Sequence, residues 1–315
     1  MWWLLLAVLI LMGLLLLGAN ILFDFTFLRP TEKRRNREKR PETPYKQAVK
    51  QGLALMETLP NEEVWIQSKD GLKLHGTYFP APDGSNKIVL GIHGYKASAW
   101  REYAPYIALY RSLGYGMFLP DNRAHGASEG RYIGFAVLDR LDCVCWAQYL
   151  ANRFGEDSEI LLHGVSMGAA TVLAASGEKL PRQVKGIVAD CGYSSLKEEL
   201  THEMHKLFHI PTFPLLPLCE KICMHRAGYN FVQNSPIEQV KRAEVPILFV
   251  HGDCDTVVPC WMAQKLYEAC PTEKQILIAE GAAHAHSIAT ISQEYKAAIQ
   301  KLLEQINTIA AGDNK

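Results

Sequence analysis

Residues Gly164-Val165-Ser166-Met167-Gly168 constrain this chain more tightly than any other stretch. An apolar run, Ile160-Leu161-Leu162-His163, leads into them, and a helix-forming run, Ala169-Ala170-Thr171-Val172-Leu173-Ala174-Ala175, leads out. A buried strand that turns at once into a helix leaves room only for small residues around the turn. Glycine two positions either side of the serine meets that demand. The serine then stands at a sheet edge and a helix N-terminus, where developing negative charge is favoured. Strand, G-x-S-x-G, helix is the context of a nucleophile elbow; outside that context the same five residues would be an ordinary turn.

The flanking pattern supplies the rest of such a sheet. Residues 63–68 and 72–79 read as a hairpin around Asp70-Gly71. Apolar strands then follow at 88–93, 115–120, 160–163, 186–190, 246–251 and 275–279. Helical stretches separate them at 103–112, 135–153, 260–269 and 288–309. Alternation of this kind predicts an α/β fold: a mostly parallel sheet with an antiparallel start and helices on both faces. The stretch from Gly192 to Glu244 breaks the alternation, and a connection so long predicts a functional lid. Helices are expected over 196–209 and 218–227, with Phe208, Ile210, Phe213, Leu215 and Leu216 as candidate linings of an apolar acyl pocket. The bland alternative is that they pack the lid onto the body.

A nucleophilic serine needs a base, and the base an orienting acid. Past the strand 246–251 the chain reads His251-Gly252-Asp253-Cys254-Asp255, so the acid is Asp253 or Asp255. Past the strand 275–279 it reads Glu280-Gly281-Ala282-Ala283-His284-Ala285-His286-Ser287, so the base is His284 or His286. All of these would project from the C-terminal edge of one parallel sheet, where such folds place their sites. Asp121 and Asp190, also at strand ends, read as turn-makers.

These blocks resemble the α/β-hydrolase superfamily, in particular its lid-bearing serine aminopeptidase and lysophospholipase-like branch. The resemblance runs from about Val64 to the end. It rests on His93-Gly94-Tyr95, on the loop from Asp121 to Gly130, on Gly164–Gly168 and on the pair Asp255 and His284. The loop departs from the family pattern only at Ala124, where glycine is usual. The resemblance implies an acid at Asp255, leaving Asp253 to cap its own loop. It implies a base at His284, with Ser287 capping the last helix and His286 pointing elsewhere. It also implies an oxyanion hole built from the backbone N–H groups of Tyr95 and Met167. The chemistry implied is hydrolysis through an acyl-enzyme on Ser166, with no metal or organic cofactor.

The N-terminus adds a membrane. Met1 to Phe23 is almost wholly apolar, and about 20 such residues cross a bilayer as a helix. No basic residue precedes Trp2 and no small-x-small site follows Leu17, so a retained anchor (residues 1–25) is expected over a cleaved signal peptide. Arg29 to Arg40 carries seven basic and two acidic side chains. This cluster predicts a single-pass protein with a cytoplasmic catalytic body, the extracellular face being the alternative. It is also suited to anionic headgroups. Residues 26–61, with Pro30, Pro41 and Pro44, read as a juxtamembrane linker, and 62–315 as the catalytic domain with its lid.

The cluster contributes +5 and Asp24 −1 to a chain of zero formal charge, so Pro41–Lys315 carries about −4, which argues against nucleic acid as a partner. The eight cysteines, among them Cys143-x-Cys145 and Cys219-x-x-x-Cys223, have no histidines at zinc-ligand spacing; they read as buried, reduced thiols. The leading expectation is a membrane-anchored hydrolase of a carboxylic ester, for which an anchor and an apolar lid suggest a lipid-derived or acyl substrate. An amidase, peptidase or thioesterase on the same residues is the alternative, and a non-catalytic tethered interaction protein the weakest reading.

Overall fold

The computed structural model describes residues 2–30, 42–209 and 211–313. Most of the basic cluster, 31–40, therefore lies outside the described residues, as does Ile210. The first half of the chain forms α1 (Trp2–Phe27), α2 (Pro44–Thr58), β1 (Glu62–Gln67), β2 (Lys73–Phe79), β3 (Lys87–Ile92), α3 (Ala99–Ser112), β4 (Gly116–Pro120), α4 (Asp139–Phe154) and β5 (Glu159–Val165). The second half forms α5 (Met167–Ala175), β6 (Val184–Asp190), α6 (Leu196–Phe208), α7 (Leu215–Ala227), α8 (Pro236–Gln239), β7 (Ile247–Gly252), α9 (Trp261–Ala269), β8 (Lys274–Ala279), α10 (Ser287–Thr290) and α11 (Ser292–Asp313).

Eight strands pair in the order β1-β2-β4-β3-β5-β6-β7-β8. The β1–β2 and β2–β4 pairs are antiparallel and every later pair is parallel, as an antiparallel start feeding a parallel sheet requires. Side chains alternate between faces. In β3, Ile88, Leu90 and Ile92 join a core with Trp146, Leu150 and Val172 of α4 and α5. Val89 points the other way, into a core with Tyr103, Tyr295 and Leu302 of α3 and α11. Both faces are thus covered, which keeps parallel strands out of water.

Three segments differ from the sequence expectation. Residues 44–58, read as linker, form the amphipathic helix α2. Thr43 caps it through its side chain, Pro44 takes the first turn, and Val49, Gly52 and Met56 are buried. A Cβ at Gly52 would stand 1.8 Å from the Ala104 carbonyl oxygen, so α2 crosses α3 at backbone contact. The prolines that suggested a linker are start signals here. The last helix is broken at Ile291, where Thr290, Ile291 and Ser292 are weak helix formers. Ser287 therefore opens a single turn, α10, rather than capping α11.

The third difference is at the anchor. Residues Trp2 to Leu14 are exposed along the whole helix surface, and α1 as a whole, Trp2–Phe27, is long and apolar enough to cross a membrane. From Ala19 onward one face is buried. Phe23 and Phe27 stack on each other, and Phe27 stacks on Phe231 and meets Phe135 and Tyr229. Arg226 of α7 pairs with Asp24 at 2.8 Å and lies over the Phe23 ring. Beyond the helix, Leu28 bridges Tyr132, and the Arg29 N–H and guanidinium donate to carbonyls of Arg131, Gly126 and Ser128. The end of α1 is part of a third core shared with α6 and α7.

Candidate active site

Ser166 sits between β5 and α5 with φ 57° and ψ −119°, a backbone conformation that a non-glycine residue holds only under constraint. The constraint is visible on both sides. A Cβ at Gly164 would stand 2.1 Å from the Gly168 carbonyl oxygen, and one at Gly168 would stand 1.8 Å from the Ile92 carbonyl oxygen. The Ser166 N–H donates to the Asp190 carbonyl at 2.8 Å, tying the turn to β6.

The structure brings Ser166, His284 and Asp255 together. His284 Nε2 lies 2.9 Å from Ser166 Oγ, and His284 Nδ1 lies 2.7 Å from Asp255 Oδ2. Asp255 is acceptor-only when ionised, so Nδ1 carries the proton and Nε2 is free to accept from the serine. Burial works to raise the Asp255 carboxyl. Hydrogen bonds from His251 and His284, the charge of His284 and the Val257 N–H outweigh it and hold the group well below the ordinary carboxylate range. Its Oδ1 also accepts from the N–H groups of Val257 and Val258 at 2.8 and 3.0 Å.

The alternatives go elsewhere. Asp253 accepts the Gly281 N–H at 2.7 Å, bracing the two loops against each other. His286 stacks on Tyr45 of α2, ring centroids 4.3 Å apart. Ser287 Oγ donates to Asp190, whose other carboxylate oxygen accepts from Tyr106. Asp121 accepts the Ala127 N–H and meets His75, as a turn-maker does.

The two loops of the family pattern are locked by buried histidines. His93 Nδ1 donates to the Gly94 carbonyl and Nε2 accepts the Asn122 N–H at 3.0 Å. His125 Nε2 accepts the Lys96 N–H at 3.0 Å. Burial pushes both imidazoles down, His125 to about 3, so they stay neutral and can accept. This pairing positions Tyr95, which lines the same cavity as Met167 and Ser166. Among the described residues no group takes the N–H of Tyr95 or Met167. The Tyr95 hydroxyl donates to the Thr26 carbonyl of α1 at 2.8 Å, a tie that sequence reasoning missed.

Above Ser166 and His284 lies a cavity of about 420 Å³, within the range of small-molecule sites. Its lid wall is α6, through Leu200, Met204 and Leu207, and not Phe213, Leu215 or Leu216; the Phe208 side chain and Ile210 lie outside what is described. Phe213 stands exposed, Leu216 is buried in the core shared with α1, and Leu215 packs at its edge. The opposite wall is α1 itself, through Leu22, Phe25 and Thr26.

Two acidic residues, Glu199 and Glu203, also line the cavity, and Glu203 is paired with Lys206. Glu199 is only 8 % exposed, and its Oε2 has no partner among the described residues. Burial, with Glu203 and Asp255 adding and Lys206 opposing, pushes its carboxyl up to about 8. Cys191, Asp255 and His284 approach one another closely enough to suggest a metal cluster. Burial keeps the Cys191 thiol protonated, however, and the other two are engaged with each other, so the donor set suits a proton relay better than a cation.

The comparisons with known proteins agree with this architecture. The family model described as the prolyl oligopeptidase family matches residues 136–307, more than half of the chain. YqkD, an uncharacterized protein of Bacillus subtilis, is 28% identical over 242 residues, 77% of this chain and 79% of its own. An esterase of Pyrococcus furiosus has a similar fold, with TM-score 0.63 and 24% identity over 85% of this chain and 95% of that one. An acylaminoacyl peptidase of Pyrococcus horikoshii matches at TM-score 0.57 and 18% identity, covering 81% of this chain and 43% of that one.

Proposed function

The chain belongs to the prolyl oligopeptidase family, within the α/β-hydrolase superfamily, and we propose that it is a membrane-anchored serine hydrolase that cleaves carboxylic esters. The observation that carries this reading is the continuous relay from Ser166 Oγ through His284 to Asp255, at 2.9 and 2.7 Å, on the floor of an apolar cavity. Ser166 Oγ attacks the ester carbonyl and its proton passes to His284 Nε2. Asp255 fixes the imidazole tautomer and stabilises the imidazolium. The N–H groups of Tyr95 and Met167 take the oxyanion. His284 then protonates the leaving alcohol. Water, deprotonated by the same nitrogen, releases the acid and restores Ser166.

An apolar cavity with few polar fixtures suits an acyl group better than a peptide, whose amides need partners. Peptide cleavage is the second reading, favoured by the activity for which the family is described. For α1, its buried end favours a retained anchor. Removing it as a signal sequence would strip a wall from the cavity and expose Phe135, Tyr229 and Phe231. The basic residues after α1 favour a cytoplasmic body bound to anionic lipid.

The test is fluorophosphonate labelling of membranes that hold the intact protein, beside Ser166→Ala. Labelling lost in the variant establishes the nucleophile, and matched p-nitrophenyl esters and anilides then separate esterase from amidase. Equal labelling of both proteins would sink the proposal.

A further inference from the structure

The cavity has an unusual construction: one wall is the membrane helix. At 1.5 Å per residue α1 is about 39 Å long, and a hydrocarbon core of about 30 Å takes about 20 residues. Counted from Trp2, that span ends at Ile21. Leu22, Phe25 and Thr26, which line the cavity, follow within two turns. The catalytic cavity is therefore held at the bilayer surface.

The lid reaches further. Helix α7 runs along α1 with Arg226 beside Asp24 and Leu215 against Gly18. The start of α7 thus lies at the level of Gly18, inside the counted span. From Leu207 to Cys219 the lid has no Asp, Glu, Lys or Arg. Phe213, just before α7, is 75 % exposed. A charge-free tip at that depth, with an exposed phenylalanine, is at home in hydrocarbon and costly in water.

The cavity opens between these two elements. Its most exposed lining residues are Phe25 of α1, at 67 %, and Leu207 of α6, at 56 %. Both are apolar, and they stand where anchor and lid converge on the bilayer.

The geometry points to a slot between α1 and α6 that takes the acyl chain of a membrane-resident lipid ester directly from the leaflet. Phe25 and Leu207 form its rim, Leu22, Leu200 and Met204 its walls. This rests on Ser166 as the nucleophile, and narrows the substrate class to lipids that never leave the bilayer. Specificity for chain length then resides partly in the anchor, a segment that would otherwise serve only as a tether.

The test uses the full chain in phosphatidylcholine vesicles and fluorophosphonates that carry an ethyl or a decyl chain. Each forms a bond from Ser166 Oγ to phosphorus, fluoride leaves, and the hydroxyl proton passes to His284. The decyl-to-ethyl ratio of labelling rates is expected to fall at least about tenfold in Leu22→Trp, which fills the slot, as the loss of two or more buried methylenes requires. Leu14→Trp, in the exposed span, keeps the wild-type ratio and controls for partition into the bilayer. Leu22→Ala reports the same wall if Leu22→Trp unfolds, by shifting preference toward longer chains. In a second arm, a dialkylglycerol-linked fluorophosphonate labels when mixed into the protein's own vesicles and not when supplied in separate ones.

An unchanged ratio in the folded Leu22 variants, or equal labelling from separate vesicles, overturns the slot while Ser166-dependent labelling stands. Labelling that persists in Ser166→Ala overturns the nucleophile and the proposed function with it.

Discussion

Replacing Glu199 with glutamine should stabilise the protein at neutral and alkaline pH. The Glu199 carboxyl is buried, one oxygen has no partner among the described residues, and the group keeps its proton up to about pH 8. In the unfolded chain it would lose that proton near its ordinary value of 4.5. Between those limits the folded chain binds a proton that the unfolded chain releases. Stability is therefore full below about pH 4.5 and is lost as pH rises toward about 8, at about 1.4 kcal/mol per pH unit, for a ceiling near 5 kcal/mol. At neutral pH the cost has already reached roughly 3 kcal/mol. Glutamine does not titrate and removes that slope. Buried Asp139 and Asp190, raised to about 7 and about 6, slope both curves below neutrality, so the reading is the difference: from about pH 5 to about pH 9 the thermal midpoint in mild detergent should fall roughly 6 °C further in the wild type than in Glu199→Gln. Near pH 5 the variant gains nothing. Parallel pH curves for the two proteins would refute the reasoning, because they would mean that Glu199 ionises in place with a partner or with water.

Other perturbations probe the remaining parts. Asp255→Asn should leave Ser166 and His284 in place but lower turnover by about 10³–10⁴, read as kcat on a p-nitrophenyl ester, because the wrong imidazole tautomer is favoured. Gly168→Ala places a methyl against the Ile92 carbonyl, and expression trials should recover little folded protein. Phe27→Ala should cost about 3–5 kcal/mol and lower the thermal midpoint, since the ring is fully buried among four aromatics. Tyr95→Phe keeps the backbone N–H but loses the bond to Thr26; protease access at Leu28 should rise while kcat on a short ester changes little.

The sheet was legible because its signals are local. The β5 run, the glycines at 164 and 168 and the helix start at 167 specify one turn between them; β1 and β2 are marked by the Asp70-Gly71 turn, and the later strands by apolar stretches. The positions of Ser166, Asp255 and His284 followed from the same local grammar plus a family likeness. What escaped was set by distant partners. Nothing in Thr43-Pro44 by itself separates a helix start from a linker proline; the match of Gly52 to Ala104 decides it. Phe23 read as a membrane residue because the apolar signal is the same whether a ring meets lipid or Tyr132, and Phe27 read as the start of the linker although it stacks on Phe231. Glu199 drew no reading of its own within the expected helix 196–209, since burial without a partner has no sequence signature. Leu200, Met204 and Leu207 line the cavity where Phe213, Leu215 and Leu216 were expected, for the same reason: which face of a helix meets the cavity depends on where α1 lies.

The docking of α1 has a consequence for how the protein is made. Asp24 and Arg226 are separated by 202 residues. At synthesis rates of about 5–20 residues per second, α1 is available to the membrane roughly 10–40 s before α7 emerges. On the proposed anchoring, α1 is inserted while the surface it will complete does not yet exist, with the aromatic face of Phe23 and Phe27 still uncovered. Strands β1 to β6 precede α7 and can pair in that interval; β7, β8 and the cavity cannot form until later. On that proposal membrane integration comes first and competence last, so a nascent chain completes its cavity only once α1 is already in the bilayer.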